Sequence, residues 1–119
     1  MRRILIIDDE DDIREITAKT LHATAGWLVD TANSGPDGIR RATSDCPDAI
    51  LLDVSMPGMD GPATLREMQA TPSLADVPVI FLTARADTLV AGLGAAAVLA
   101  KPFDPRTLAS QISSVLCWS

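Results

Sequence analysis

Residues of reactive or charged type follow four short apolar runs of the sequence, at positions that could share one site. Asp8 and Asp9 come directly after the first run, and Asp53, Thr83 and Lys101 follow three later runs. If these runs are strands of one parallel sheet, their carboxyl ends meet at a single edge, where α/β proteins bind their ligands. The sequence therefore predicts one crevice that holds carboxylates, a hydroxyl and an ammonium group.

The acids of this predicted crevice indicate a cation site. Carboxylates that share a crevice repel one another unless a cation joins them. Oxygen ligands favour a hard divalent ion, and Mg²⁺ is the abundant one that keeps several of its waters. Beside such an ion, Asp53 could act as a nucleophile toward a phosphoryl group and form an aspartyl phosphate. Thr83 and Lys101 are suited to hold the phosphoryl oxygens, over which the transferring charge spreads.

The elements that must position these residues alternate along the chain. The strands are predicted at residues 4–7, 27–29, 49–52, 77–82 and 96–100. The helices are predicted at residues 12–25, 35–44, 62–70, 87–93 (short and weak) and 105–116, with Ser34 and Asp104 as N-caps of the second and last. Alternation of this kind predicts an α/β fold, in which helices cover both faces of a parallel sheet.

Length and charge limit the function classes. The 119 residues fit one domain, predicted over residues 1–119. A net charge of −6, with no basic stripe, argues against direct binding of nucleic acid or of an anionic membrane surface. The two cysteines lack metal-like spacing and are compatible with a reducing compartment. No apolar stretch is long enough for a signal peptide or a membrane span, so we expect a soluble, cytoplasmic protein.

Taken in order, these motifs resemble the receiver domain of two-component response regulators. The matching pieces are Asp8-Asp9, Asp53 within LLDVSMPGMDG (51–61), Thr83-Ala84 and Lys101-Pro102-Phe103. The resemblance extends over residues 4 to about 116. It implies a flavodoxin-like, three-layer (βα)5 sandwich whose five-stranded parallel sheet has the order 2-1-3-4-5.

The resemblance also implies a set of Mg²⁺ ligands. These would be the carboxylates of Asp9 and Asp53 together with the backbone carbonyl of Ser55. Asp8 would bind the ion through a water molecule. Glu10 and the acids that follow it are interpreted instead as solvated residues at a helix N-terminus, where negative charge is favourable.

The function implied by the resemblance is a signalling switch. Asp53 would accept a phosphoryl group from a sensor histidine kinase or a histidine phosphotransfer protein, Thr83 would be the switch hydroxyl, and Lys101 would bind the phosphoryl group. Output would pass to an unidentified downstream protein by direct contact. Such a domain catalyses only its own phosphorylation and dephosphorylation and is not otherwise an enzyme.

The sequence departs from the family pattern in two places. Val98 stands where receivers usually carry Tyr or Phe, three residues before the lysine. Only 17 residues separate Thr83 from Lys101, fewer than in the family, which predicts that the fourth helix is shorter by roughly one turn. We therefore expect that phosphorylation is retained and that the output of the switch is atypical.

Three other functions remain as alternatives. An aspartate-nucleophile phosphatase needs a second acid two residues after the nucleophile, and here that residue is Ser55. A flavin or nucleotide binder is disfavoured by the acidic first loop, since such folds place glycines there to meet a phosphate. A phosphorylation-independent interaction module is disfavoured because the residues of the predicted site are all retained.

Overall fold

A parallel sheet between two layers of helices forms the fold. The computed structural model describes residues 2–83, 94–101 and 103–118. Its strands are β1 (Arg3–Ile7), β2 (Leu28–Ala32), β3 (Ala49–Asp53), β4 (Val79–Thr83) and β5 (Ala97–Ala100). Its helices are α1 (Asp11–Ala25), α2 (Gly35–Ser44), α3 (Gly61–Gln69) and α4 (Pro105–Val115). The strands pair in parallel in the order β2-β1-β3-β4-β5, which confirms the predicted topology.

The three central strands are buried because helices pack on both faces of the sheet. Alternate side chains of a strand point to opposite faces, so each strand contributes to two cores. One core joins Leu5, Ile50 and Phe81 to the helices α2 and α3. The other core joins residues such as Ile6 and Leu51 to α1 and α4, which pack against each other. The continuous apolar runs of β1, β3 and β4 are therefore explained by burial on two sides.

Helix caps fix where several helices begin. The Ser34 hydroxyl accepts a hydrogen bond from the Asp37 N–H, and Asp104 accepts one from the Arg106 N–H, as predicted. Asp60 caps α3 in the same way by accepting from the Ala63 N–H. Each such cap satisfies a backbone donor that has no partner within the helix.

The structure corrects the predicted bounds of two strands. β2 begins one residue later than predicted and continues through polar residues to Ala32, because each of its five residues pairs with a residue of β1. β4 begins at Val79 rather than at residue 77 and includes Thr83. The short helix predicted at residues 87–93 lies outside the described residues. Within the described ranges, no helix has both the length and the apolar character needed to cross a membrane.

Candidate functional site

Two carboxylates are buried side by side at the carboxyl edge of the sheet. Asp8 directly follows β1 and is fully buried, and Asp53 is the last residue of β3 and is 4% exposed. These strands are neighbours, with Ile7 paired to Leu52. The sequence predicted this juxtaposition from the ends of two apolar runs, and the structure places both acids there.

Lys101 compensates the negative charge of these acids. Its Nζ lies 3.1 Å from Asp8 Oδ2, 3.4 Å from Asp53 Oδ1 and 3.7 Å from Glu10 Oε1. The lysine is positioned by the edge strand, since it directly follows β5 and its backbone N–H donates to the carbonyl of Thr83 at 2.7 Å. One ammonium group therefore faces three carboxylates.

The electrostatics of the site shift two pKa values. Burial is the main reason that the pKa of Asp53 is raised to about 6, and the negative charge of Asp8 adds to the rise, while Lys101 and the Ser55 N–H oppose it. Burial alone would lower the pKa of Lys101, but its hydrogen bond to Asp8 and the nearby negative charges outweigh burial and raise that pKa. At pH 7 Asp53 is therefore mostly ionised and Lys101 carries its full charge.

Thr83 lies at the end of the strand next to Asp53. It is the last residue of β4, is 5% exposed, and pairs with Ala100 on β5. Asp53 pairs with Leu82, so Thr83 lies one residue farther toward the carboxyl edge. The predicted hydroxyl, ammonium and carboxylate groups thus belong to adjacent strands at one edge of the sheet.

A cluster of acids offers oxygen ligands for a cation. Among the described residues, Asp8, Glu10 and Asp53 each place a carboxylate oxygen so that all three oxygens lie within 4.8 Å of one another. Carboxylates at this spacing are a donor set that fits Mg²⁺. Asp9, a predicted ligand, is exposed and does not belong to this cluster. Ser55, the other predicted ligand residue, lies beside Asp53, with its backbone N–H 3.4 Å from Asp53 Oδ1.

Glu10 is the site residue that the sequence did not predict. Its backbone N–H donates to Asp8 Oδ1 at 2.9 Å, and its side chain makes no capping hydrogen bond although Glu10 is the N-cap of α1. The carboxylate turns toward Lys101 while remaining about half exposed. Glu10 lies in a run of five consecutive acids, and the sequence carries no signal that separates it from the solvated acids on either side.

The loop after Asp53 is held close to the strand by a glycine. The Gly61 N–H donates to the carbonyl of Val54 at 2.9 Å. A Cβ at Gly61 would lie 2.6 Å from the carbonyl oxygen of Asp53 and 2.8 Å from Val54 Cα, both of them backbone atoms. The start of α3 can therefore pack against the backbone of Asp53 only because residue 61 lacks a side chain.

Comparison with known proteins identifies the family of this fold and site. The model of the response regulator receiver domain family matches residues 4–113. The chain is 40% identical over 117 residues to the probable transcriptional regulator ycf27 of Cyanidium caldarium, covering 95% of this chain and 45% of that protein. It is 41% identical over 120 residues to the response regulator PleD of Caulobacter vibrioides, covering 95% and 26%.

A solved structure agrees with the sequence relatives. The Vibrio cholerae chemotaxis protein CheY4 superposes with a TM-score of 0.90 at 30% identity, covering 97% of this chain and 98% of that one. The fold and the acidic site define a flavodoxin-like signalling domain. The chain belongs to the response regulator receiver domain family, whose members are signalling switches rather than conventional enzymes. It spans about a quarter to a half of the length of these two curated relatives.

Proposed function

We propose that this chain is a phosphorylation-activated switch that accepts a phosphoryl group from a phosphohistidine onto Asp53, in a reaction that depends on Mg²⁺. The observation that supports this most strongly is the environment of the Asp53 carboxylate. It is buried at a strand end, 3.4 Å from the ammonium group of Lys101 and beside a second buried carboxylate. A carboxylate held in this way is a positioned nucleophile with a neighbouring positive charge for a phosphoryl group.

The proposed transfer forms one bond and breaks another. An oxygen of Asp53 bonds to phosphorus while the phosphorus–nitrogen bond of the donor breaks, and the imidazole nitrogen keeps the electron pair. With a pKa of about 6, Asp53 supplies the ionised oxygen at pH 7. Lys101 and Thr83, from the neighbouring strand ends, would hold the phosphoryl oxygens. Hydrolysis of the aspartyl phosphate by water, the only other reaction proposed for the domain, would restore Asp53.

The cation would be held by the acidic cluster. Asp8, Glu10 and Asp53 are the carboxylates brought together, and the roles of Asp9 and of the Ser55 backbone carbonyl as ligands stay predictions. When bound, Mg²⁺ neutralises charge that develops on the phosphoryl oxygens.

The partners of this switch follow from the same chemistry. A sensor histidine kinase or a histidine phosphotransfer protein would donate the phosphoryl group, and a downstream protein would bind the phosphorylated domain. The relatives ycf27 and PleD are regulators of greater length than this chain. The proposed unit of phosphorylation is the domain of residues 1–119, whether it acts alone or within a longer regulator. Its location in the cytoplasm stays a prediction.

Val98 supports the proposal of an atypical output. It lies on β5, pairs with Phe81, and is 36% exposed. A valine has no ring that could rotate inward after phosphorylation. We predict that adding beryllofluoride, a phosphoryl mimic, shifts the amide NMR signals of Asp53 and Thr83 strongly and those of β5 weakly. Shifts of equal size along β5 would contradict the proposed output while leaving phosphorylation intact.

Intact mass spectrometry tests phosphorylation. The protein is incubated with acetyl phosphate, with Mg²⁺ or with EDTA, alongside Asp53→Asn and Asp60→Asn. Asp60→Asn is the matched control because it makes the same chemical change in the same loop, and asparagine still caps a helix. The proposal predicts one Mg²⁺-dependent phosphoryl adduct in the wild type and in Asp60→Asn. An adduct of equal yield in Asp53→Asn would refute it, and no adduct from acetyl phosphate or from phosphohistidine donors would favour a phosphorylation-independent module.

A further inference from the structure

Arg14 holds the backbone of the loop that carries the acidic cluster. Its side chain is only 13% exposed although it lies in the first turns of a surface helix. Nη1 donates to the backbone carbonyl of Asp8 at 2.8 Å, and Nη2 donates to Asp11 Oδ1 at 2.6 Å. The planar guanidinium group thus bridges the two ends of the turn between β1 and α1, a geometry that lysine cannot reproduce.

The residue that Arg14 holds is the one on which the cluster depends. The Asp8 N–H donates to the Ala32 carbonyl at 3.1 Å, so the strand fixes one side of this residue and Arg14 fixes the other. The Asp8 carboxylate accepts from the Glu10 N–H through Oδ1 and from Lys101 through Oδ2. A change in the direction of the Asp8 carbonyl would therefore move two carboxylates of the cluster at once.

We propose that Arg14 is a positioning residue for the cation site, an inference that rests on the proposed function. Arg14 directs the carboxylates of Asp8 and Glu10 toward Asp53 by holding the Asp8 carbonyl. Its positive charge acts in the opposite sense, since a cation near the site repels Mg²⁺. The two effects differ in sign, so removal of Arg14 weakens cation binding if positioning dominates and strengthens it if charge alone matters.

Arg14→Met provides the decisive measurement. Mn²⁺ takes the same kind of oxygen ligands as Mg²⁺, and its binding is followed by the loss of the free-ion signal in electron paramagnetic resonance. We expect the dissociation constant to rise about tenfold, equivalent to about 1.4 kcal/mol. Arg14→Lys, which keeps the repelling charge but loses the bridge, is expected to bind Mn²⁺ at least as weakly as Arg14→Met. Arg40→Met is the matched control, because Arg40 also forms an ion pair with an aspartate on its own helix, Asp37 on α2. The Mn²⁺ affinity of Arg40→Met should stay within twofold of that of the wild type.

The result that would overturn the proposal is Mn²⁺ binding by Arg14→Met as tight as that of the wild type or tighter. Equal affinity with a lower urea midpoint would assign Arg14 a purely structural role. If Arg14→Met does not fold, Asp11→Asn releases the other end of the bridge. Its charge-matched control is Asp12→Asn, which is exposed on the same turn, and the proposal requires weaker binding in Asp11→Asn than in Asp12→Asn.

Amide hydrogen exchange separates failure of this inference from failure of the proposed function. In cation-free protein, Arg14→Met should accelerate exchange of the Glu10 N–H, which is bonded to Asp8 Oδ1, while Arg40→Met should not. If the wild type binds no Mn²⁺, the proposed Mg²⁺-dependent function fails, and exchange at Glu10 decides the positioning role by itself. Unchanged exchange at Glu10 would then count against Arg14.

Discussion

At the scale of the residue, the ionised carboxylate of Asp53 opposes folding when no cation is bound. Its pKa is about 6 in the folded protein and 3.8 in the unfolded chain, so the fold favours the protonated form. The protonated carboxyl group of Asp53 makes its full contribution to the free energy of unfolding below pH 3.8. That contribution is lost as the pH rises through about 6. A carboxylate kept ionised at this position therefore reduces the stability of the cation-free protein.

Asp53→Asn should stabilise the cation-free protein at pH 7. Asparagine removes the buried charge, and we expect a gain of about 1–2 kcal/mol in the free energy of unfolding. The gain should shrink at pH 5, where Asp53 is mostly protonated. Urea titrations in EDTA at both pH values measure this. A variant no more stable than the wild type at pH 7 would contradict the burial argument.

The residues of the site could be predicted where a strand determines their direction. Asp53 and Thr83 end apolar runs, and Asp8 and Lys101 directly follow them, so the parallel sheet brings the four to one edge. Glu10 could not be predicted, because its inward turn depends on the hydrogen bonds of the loop rather than on a repeating pattern. The carboxylate of Asp9 lies outside the acidic cluster, and its role as a ligand stays a prediction.

At the scale of the element, the contact between α3 and β3 links the packing of a helix to the shape of the site. The close approach of Gly61 to the Asp53 carbonyl leaves no space for a methyl group. The backbone of Asp53 and the first turn of α3 must therefore move together.

Gly61→Ala should destabilise the protein by about 1–3 kcal/mol and slow phosphorylation of Asp53, because the added carbon meets backbone atoms that cannot rotate away. Gly26→Ala is the comparison variant. Gly26 has a φ of 71° and open space around it, so alanine there should cost only about 1 kcal/mol and leave phosphorylation unchanged. Urea unfolding and the initial rate with acetyl phosphate measure both effects. Equal rates in the two variants would contradict the coupling.

The elements themselves show why some bounds were predictable and others were not. The buried runs of β1 and β3 have a local apolar signal that ends at the last residue of β1 and one residue before the end of β3. β2 includes Asp30 and Thr31, which are extended because they pair with β1, a tertiary constraint that no local pattern carries.

At the scale of the whole molecule, the amino edge of the sheet is closed by an aromatic cluster far from the site. The rings of Trp27 and Trp118 meet at right angles with centroids 5.3 Å apart, and the Arg2 guanidinium lies 4.2 Å from the centre of the Trp118 ring. Arg2 precedes β1, Trp27 precedes β2 and Trp118 follows α4. The cluster therefore joins distant parts of the chain at the edge opposite Asp53. The aromatic cluster and the site proposed for phosphorylation thus lie at opposite edges of one sheet.

Trp118→Ala should separate these two properties. Loss of the ring contact and of the stacked arginine should lower the free energy of unfolding by about 2 kcal/mol. The Mg²⁺-dependent rate of phosphorylation should stay within twofold, because the cluster does not contact the carboxyl edge. Urea unfolding and rate measurements on the same preparation check both statements. A large fall in rate without loss of stability would show that the two edges are coupled.

The most direct test of the account is chemical mapping of the phosphoryl group. The protein is phosphorylated with acetyl phosphate in Mg²⁺, treated with borohydride, digested and sequenced by mass spectrometry. Borohydride reduces an aspartyl phosphate to homoserine, so the account predicts homoserine at position 53 and unmodified aspartate at positions 8, 9 and 60. Homoserine at another acid, or a phosphoryl group that survives borohydride, would contradict the assignment of Asp53 as the phosphoacceptor.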